Sequence, residues 1–223
     1  TYKYFKLKFF FLKNIFFQSM PITVAILGYS VAAAIIFTYV GFSSEYAVAG
    51  YGSATRIEQV VLLPILGINT AIISIIAQNI GAKQHNRVEE SYFTSVRYGL
   101  CLMIIAGIII YLTAEIVPKF FSSNTDVIAY GTMYLKISAF ILPAYPIFFL
   151  SNGFFMALKK SEKAMLNNII RNVIVPILSF YIARHINADF KTFFYIWAAF
   201  QWTISLLLFA YVNYYIKNKL TKI

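Results

Sequence analysis

The sequence predicts an all-α membrane protein, a bundle of six transmembrane helices, and three observations carry that prediction. The 223 residues are 60% hydrophobic and only 12% charged, about half the roughly 25% charge of a soluble domain, and the mean hydropathy is +0.72. The apolar residues fall in long runs comparable to the about 20 residues that cross a bilayer core. Runs such as 104–112 are apolar on every face, unlike barrel strands, which alternate apolar and polar over about ten residues. In lipid a spanning segment has to satisfy its own backbone groups, which a helix does.

Charged residues punctuate six segments, 14–40, 46–77, 96–117, 127–158, 164–183 and 192–216. The polar connectors between them are short, so neighbouring helices run antiparallel. A basic, aromatic lead-in over 1–13, with Lys3, Lys6 and Lys8 among Tyr2, Tyr4 and Phe5, places lysine and tyrosine at headgroup level. The bundle covers 14–216 and a basic tail 217–223. The chain opens on Thr1 and is expected to be a fragment of a longer protein, beginning midway through it.

The net charge of +11 does not point to nucleic acid, because no polar domain is left to form a basic face. The basic residues sort by connector instead. The lead-in, the second and fourth connectors and the tail hold Lys83, Arg87, Lys159, Lys160, Lys163, Lys217, Lys219 and Lys222 beside the lead-in lysines. The opposite side holds only Lys119, Arg184 and Lys191, offset by Glu45, Asp126 and Asp189. The excess of lysine and arginine marks the cytoplasmic side, so both termini are expected there. Enzymatic chemistry finds no support: the single cysteine, Cys101, lies inside an apolar run, and His85 and His185 lie far apart in polar connectors. No disulfide, metal-ligand spacing, nucleophile–base pairing or phosphate loop is available. No cofactor is expected beyond a coupling ion.

The second segment is the most informative. Arg56 and Glu58 interrupt its apolar run, and a charge inside a span marks a pathway or a paired site. Two positions apart, they point to different sides of a helix and do not pair simply with each other. At about 100° per residue, Tyr51, Thr55, Glu58 and Asn69 share one sector, the stripe expected of a helix facing a wet cavity. The structural alternative pairs Glu58 with a basic residue on a neighbouring helix, Arg171 or Lys136, and gives Arg56 an anchoring role. Pro21, Pro64, Pro143, Pro146 and Pro176 lie within spans, where each removes a donor and favours a kink. Tyr29 and Tyr145, deep in spans, are candidates to line a cavity for flat apolar cations.

Several runs resemble the multidrug and toxic compound extrusion family: Ala49-Gly50-Tyr51, Arg56-Ile57-Glu58, Pro64 through Gly67-Ile68, and Gln78-Asn79 through Gly81-Ala82-Lys83 leading to Arg87. Pro21, the Tyr134 to Lys136 run and the spacing of Arg171 and Pro176 are similar to it as well. The resemblance covers nearly the whole chain, as helices seven to twelve. It implies one of two six-helix lobes facing each other across a central cavity, with sodium or proton entry driving export of cationic, aromatic compounds. The partners implied are that small-molecule substrate, the bilayer and the missing N-terminal half. Some members carry an acid on the seventh helix, where this chain has Tyr29, and the fourth segment lacks an acid that some relatives have. Glu58 is then the foremost membrane-embedded carboxylate, with Tyr51, Thr55, Asn69, Arg56 and Tyr29 as its companions in substrate or ion binding. Two other readings stay open: a lipid-linked oligosaccharide flippase, whose anionic substrate calls for a cavity rich in arginine and lysine, and a non-transport membrane subunit.

Overall fold

In the computed structural model, residues 9–220 are described, and before residue 27 the only side chains described are Phe16, Met20, Thr23 and Val24. The start of the expected lead-in, the last residues of the tail and the Pro21 side chain lie outside the described residues.

Each expected segment is found as helix. The first is α1 (Phe9–Gly41), the second α2 (Glu45–Gly81) and the third α3 (His85–Thr113). A short 3-10 turn, Val117–Phe120, leads to the fourth segment, which is split into α4 (Thr125–Ile141) and α5 (Ala144–Ala157). The fifth is α6 (Ser161–Ile169), a π turn (Ile170–Ile174) and α7 (Val175–His185), and the sixth is α8 (Phe190–Lys219). By length and composition α2, α3, the α6–α7 run and α8 each suffice to cross a membrane, and the bent α4–α5 pair, taken as one broken span, is a fifth. In α1 the apolar stretch among the described residues is Leu27–Gly41.

Local chemistry sets the ends of these helices. Ser44, Asn124 and Asp189 stand in extended backbone before α2, α4 and α8, and each side chain accepts from a first-turn N–H, satisfying donors a helix start leaves open. Lys83, Lys159 and Asn187 take left-handed backbone just past α2, α5 and α7. There the chain reverses and donates back to the last helical carbonyls, as Gln84 N does to Asn79 O at 2.8 Å.

Prolines account for the two interruptions that shape the site. Pro143 lies at the break where α5 leaves the axis of α4 by 52°. It has no N–H to continue the ladder, and Trp202 Nε1 donates to the Phe140 carbonyl at 2.8 Å. Pro176 opens α7, directly after the π turn that carries Arg171 and Asn172. Such a turn inserts one residue into the helical repeat and re-aims the side chains on it. Pro64, by contrast, lies within a continuous α2.

At the core, α2 packs on α3, α4 and α5, and α5 packs on α8. α2 and α4 approach closely at Gly50, where a Cβ would stand 2.6 Å from the Val127 carbonyl and 2.8 Å from Gly131 N. Small residues here let α2 and α4 meet backbone to backbone, a common device in membranes. An aromatic seam sits beside that contact: the Tyr51 ring lies 4.8 Å from Tyr134 and 5.3 Å from Phe194.

Candidate functional site

Glu58 is buried, with 7% of its surface exposed, although it stands in a helix otherwise dominated by apolar and small residues. Its position follows from the two interruptions. The bend at Pro143 turns α5 across α2 and brings Tyr145 to Glu58 Oε1, to which the phenol donates at 2.5 Å. Tyr134, from α4, donates to Oε2. Each carboxylate oxygen therefore accepts a phenolic hydrogen bond, which offsets part of the cost of burying a charge.

The π turn supplies the opposing charge. Arg171 is 4% exposed; its Nε donates to Gln201 Oε1 of α8 at 2.5 Å. Its guanidinium carbon lies 4.2 Å from the centre of the Phe148 ring and 4.7 Å from that of Tyr145, a cation–π arrangement. Arg171 interacts electrostatically with Glu58, while Tyr145 touches both. Among the described residues no ion pair joins them: the single pair within 4 Å links Lys136 to Glu115 at 2.7 Å. Lys136 is thereby corrected as a partner for Glu58; it lies on another face of α4 from Tyr134 and extends toward the end of α3.

These groups line a cavity of about 200 Å³. Tyr29 comes from α1, Tyr51, Thr55 and Glu58 from α2, Tyr134 from α4, Tyr145 from α5, Arg171 from the π turn and Gln201 from α8. Tyr29 is 40% exposed and its hydroxyl donates to Asn168 Oδ1 at 3.4 Å. Thr55 donates to the Gly52 carbonyl within its own helix, which leaves its oxygen free to accept. Of the six residues singled out in the sequence, Glu58, Tyr51, Thr55 and Tyr29 are brought together here.

The other two are placed elsewhere. Arg56 is exposed, turned away from Glu58 by its two-residue offset, and does not line the cavity. Asn69 shares the angular sector of Glu58 but stands eleven positions on, about 16 Å along the axis. It packs against Gly153 of α5, and its Oδ1 is buried without a hydrogen-bond partner. Sector arithmetic sets direction and not depth, which is why the expected stripe breaks there. Sequence reasoning did not find Gln201, and it found Tyr134 and Tyr145 only separately, as part of a motif and as a cavity tyrosine.

The MatE family model matches residues 21–182. The chain belongs to the MatE family. Among relatives, 150 of its residues, 67% of the chain, are 28% identical to 32% of a probable multidrug resistance protein, YpnP, of Bacillus subtilis. A FAD transporter of Shewanella oneidensis is 26% identical over 106 residues, 48% of this chain and 24% of that protein. The fold is that of a transporter of the MOP superfamily from Pyrococcus furiosus, described as having a binding pocket of reverse polarity: TM-score 0.89 at 20% identity, over 97% of this chain and 49% of the other. This MatE chain thus spans about a third of the first curated relative and about half of the solved transporter.

Proposed function

We propose that this MatE chain is the C-terminal lobe of an ion-coupled antiporter that exports cationic or aromatic small molecules across the cytoplasmic membrane. The observation that carries the reading is the Glu58 carboxylate, held by two phenols in a small aromatic cavity beside a buried arginine. A carboxylate between desolvation and a nearby cation can exchange a proton or sodium ion for a cationic substrate. The aromatic walls favour flat cations. A second six-helix lobe facing this cavity completes the substrate path, and rocking of one lobe against the other gives alternating access. Both termini are cytoplasmic, from the distribution of lysine and arginine.

A second reading rests on Arg171, which lines the same cavity, together with the relative named as a FAD transporter. An anionic aromatic substrate would place its charge toward Arg171 and its ring against Tyr145.

The test is Glu58→Gln in the full-length protein, with expression, thermal stability and efflux of a cationic dye measured together. Glutamine retains one acceptor oxygen, and its amide donates to whichever tyrosine reverses its hydroxyl, so the bundle should express near normally while coupled export is lost. Normal dye efflux from a well-expressed variant refutes the coupling role. Loss of stability along with efflux assigns Glu58 to structure. Export of a flavin in place of the dye by the unmodified protein favours the second reading.

A further inference from the structure

A larger concavity lies apart from the Glu58 cavity. It has a volume of about 640 Å³ and lies between the end of α3, the middle of α4 and the start of α8. Glu115, Lys136, Lys191 and Tyr195 line it. A second hollow of about 450 Å³ shares Tyr111 and Phe140 with it and is apolar, lined by Ile104, Ile108, Leu112, Pro143 and Trp202. The two form one feature, charged at one end and hydrocarbon-like along the rest.

The placement of the charges follows the ends of the helices. Glu115 lies just past α3, and Lys191 is in the first turn of α8. Lys136 belongs to the interior of α4, but its ammonium reaches Glu115 at 2.7 Å, the snorkelling expected of a lysine stem that runs along apolar surface to a polar boundary. All three charged heads are therefore at the level where α3 ends and α8 begins, and the apolar hollow descends from there along α3. Its floor is set by Gly107, where a Cβ would stand 2.6 Å from the Ala139 carbonyl, so α3 and α4 touch and the hollow stays shallow. Its walls are exposed: Ile108 by 55%, Leu112 by 72% and Phe140 by 64%.

We propose that this face binds one anionic phospholipid, its phosphate between Lys191 and Lys136 and an acyl chain in the hollow below. The charge argument selects the headgroup. The lining itself holds two lysines and one glutamate, one positive charge in excess, while Asp189 keeps its negative charge at the α8 cap outside the lining. Lys136 donates one N–H to Glu115 and keeps two donors; Lys191 lies over the Tyr195 ring, 5.8 Å from its centre, and among the described residues is in no ion pair within 4 Å. Asp189, two residues away, senses Lys191 but is engaged in capping α8 through Thr192 N. A phosphate oxygen accepts from both lysines, and each basic group at a membrane surface favours an anionic lipid. The site lies on another face of α4 from the Glu58 cavity and is independent of the export reading.

The experiment is native mass spectrometry of the detergent-purified full-length protein, titrated with phosphatidylglycerol or phosphatidylcholine of equal chain length. One phosphatidylglycerol should be retained in clear preference to phosphatidylcholine. Lys191→Glu should lower that retention by about tenfold or more while leaving phosphatidylcholine unchanged. Ile108→Trp, which fills the hollow, should lower retention of both, with circular dichroism and gel filtration of each variant matching the parent. Equal retention of the two lipids, or a preference for phosphatidylglycerol that neither variant alters, overturns the proposal. A dimer or a tightly held partner protein that Ile108→Trp disperses overturns it too, by giving the face to a protein contact.

Discussion

Arg171 is the residue on which the cavity's polar network turns. It is buried, bonded once through Nε to Gln201, and stacked against Phe148 and Tyr145. Lysine would keep the charge but lose the planar surface and the Nε–H, so Arg171→Lys should destabilise the protein by about 1–3 kcal/mol, the cost of a buried polar group left unsatisfied. Gln201→Leu should cost a similar amount, because it strands the Nε–H. The double variant should cost clearly less than the sum of the two, since both remove one bond; denaturant unfolding in detergent measures all three. A strictly additive pair would show that the bond contributes nothing. At this scale the sequence was partly legible. Glu58 stood out because a carboxylate inside an apolar run is rare. Its two phenolic donors did not, because the chain has 17 tyrosines and no spacing rule joins residues 76 and 87 positions apart. Arg171 was visible as a basic residue in a span, whereas a lone glutamine such as Gln201 carries no comparable signal.

The elements were more legible than the contacts, because hydrophobic runs and connector composition mark spans directly. All six segments appear as helices within a few residues of their expected ends, except at the start of α3, which begins eleven residues earlier because its first turns are polar and project beyond the apolar run. Prolines were easy to see and hard to interpret. Pro143 accompanies a 52° break and Pro176 follows a π turn, yet Pro64 lies in unbroken helix. The outcome depends on tertiary contacts beside the break, such as Trp202 Nε1 donating to the Phe140 carbonyl, and these come from distant elements. The caps, by contrast, are local. Asp189 accepts from Thr192 N at 3.0 Å, and the hydrogen bonds from Thr192 hold its carboxyl below the usual aspartate range. A carboxylate depressed in this way contributes stability above its unfolded value, near pH 4, and loses it as pH falls through the folded value. Asp189→Ala should therefore cost about 1 kcal/mol at neutral pH, with the gap to the parent closing below about pH 4. Asp189→Asn, which keeps the acceptor, should retain most of the stability at neutral pH. The midpoints of denaturant unfolding across that pH range check both statements.

At the scale of the whole bundle, packing assigns the connectors to two ends. At one end Tyr39 of α1 donates to the Ala188 carbonyl of the α7–α8 connector at 2.7 Å, and Arg184 lies 4.9 Å from the centre of the Phe42 ring. At the other, Lys160 and Lys163, at the turn from α5 into α6, lie over the rings of Tyr215 and Tyr211 near the end of α8, and donate to their hydroxyls. The end with the α5–α6 turn and the close of α8 gathers Lys159, Lys160, Lys163, Lys217 and Lys219; the end with the α7–α8 connector holds Arg184 and Lys191 beside Asp189. In the orientation we propose from the positive-inside bias, the first end faces the cytoplasm. In that proposed orientation, helix alternation puts the α2–α3 turn in the cytoplasm and the α3–α4 connector outside. Gln84 and Ser123, in those two connectors, are both exposed, so a cysteine at either position is open to solvent on its own side. Cys101 is exposed on α3 and has to be removed first. In a Cys101→Ser background, Ser123→Cys should react with a membrane-impermeant thiol reagent on intact cells, and Gln84→Cys should react only after the membrane is permeabilised. The opposite pattern would invert the bundle, place the dense lysine end outside, and require another explanation for the charge asymmetry. Labelling of both positions on intact cells would mean two orientations in one population, which the excess of basic residues at one end argues against.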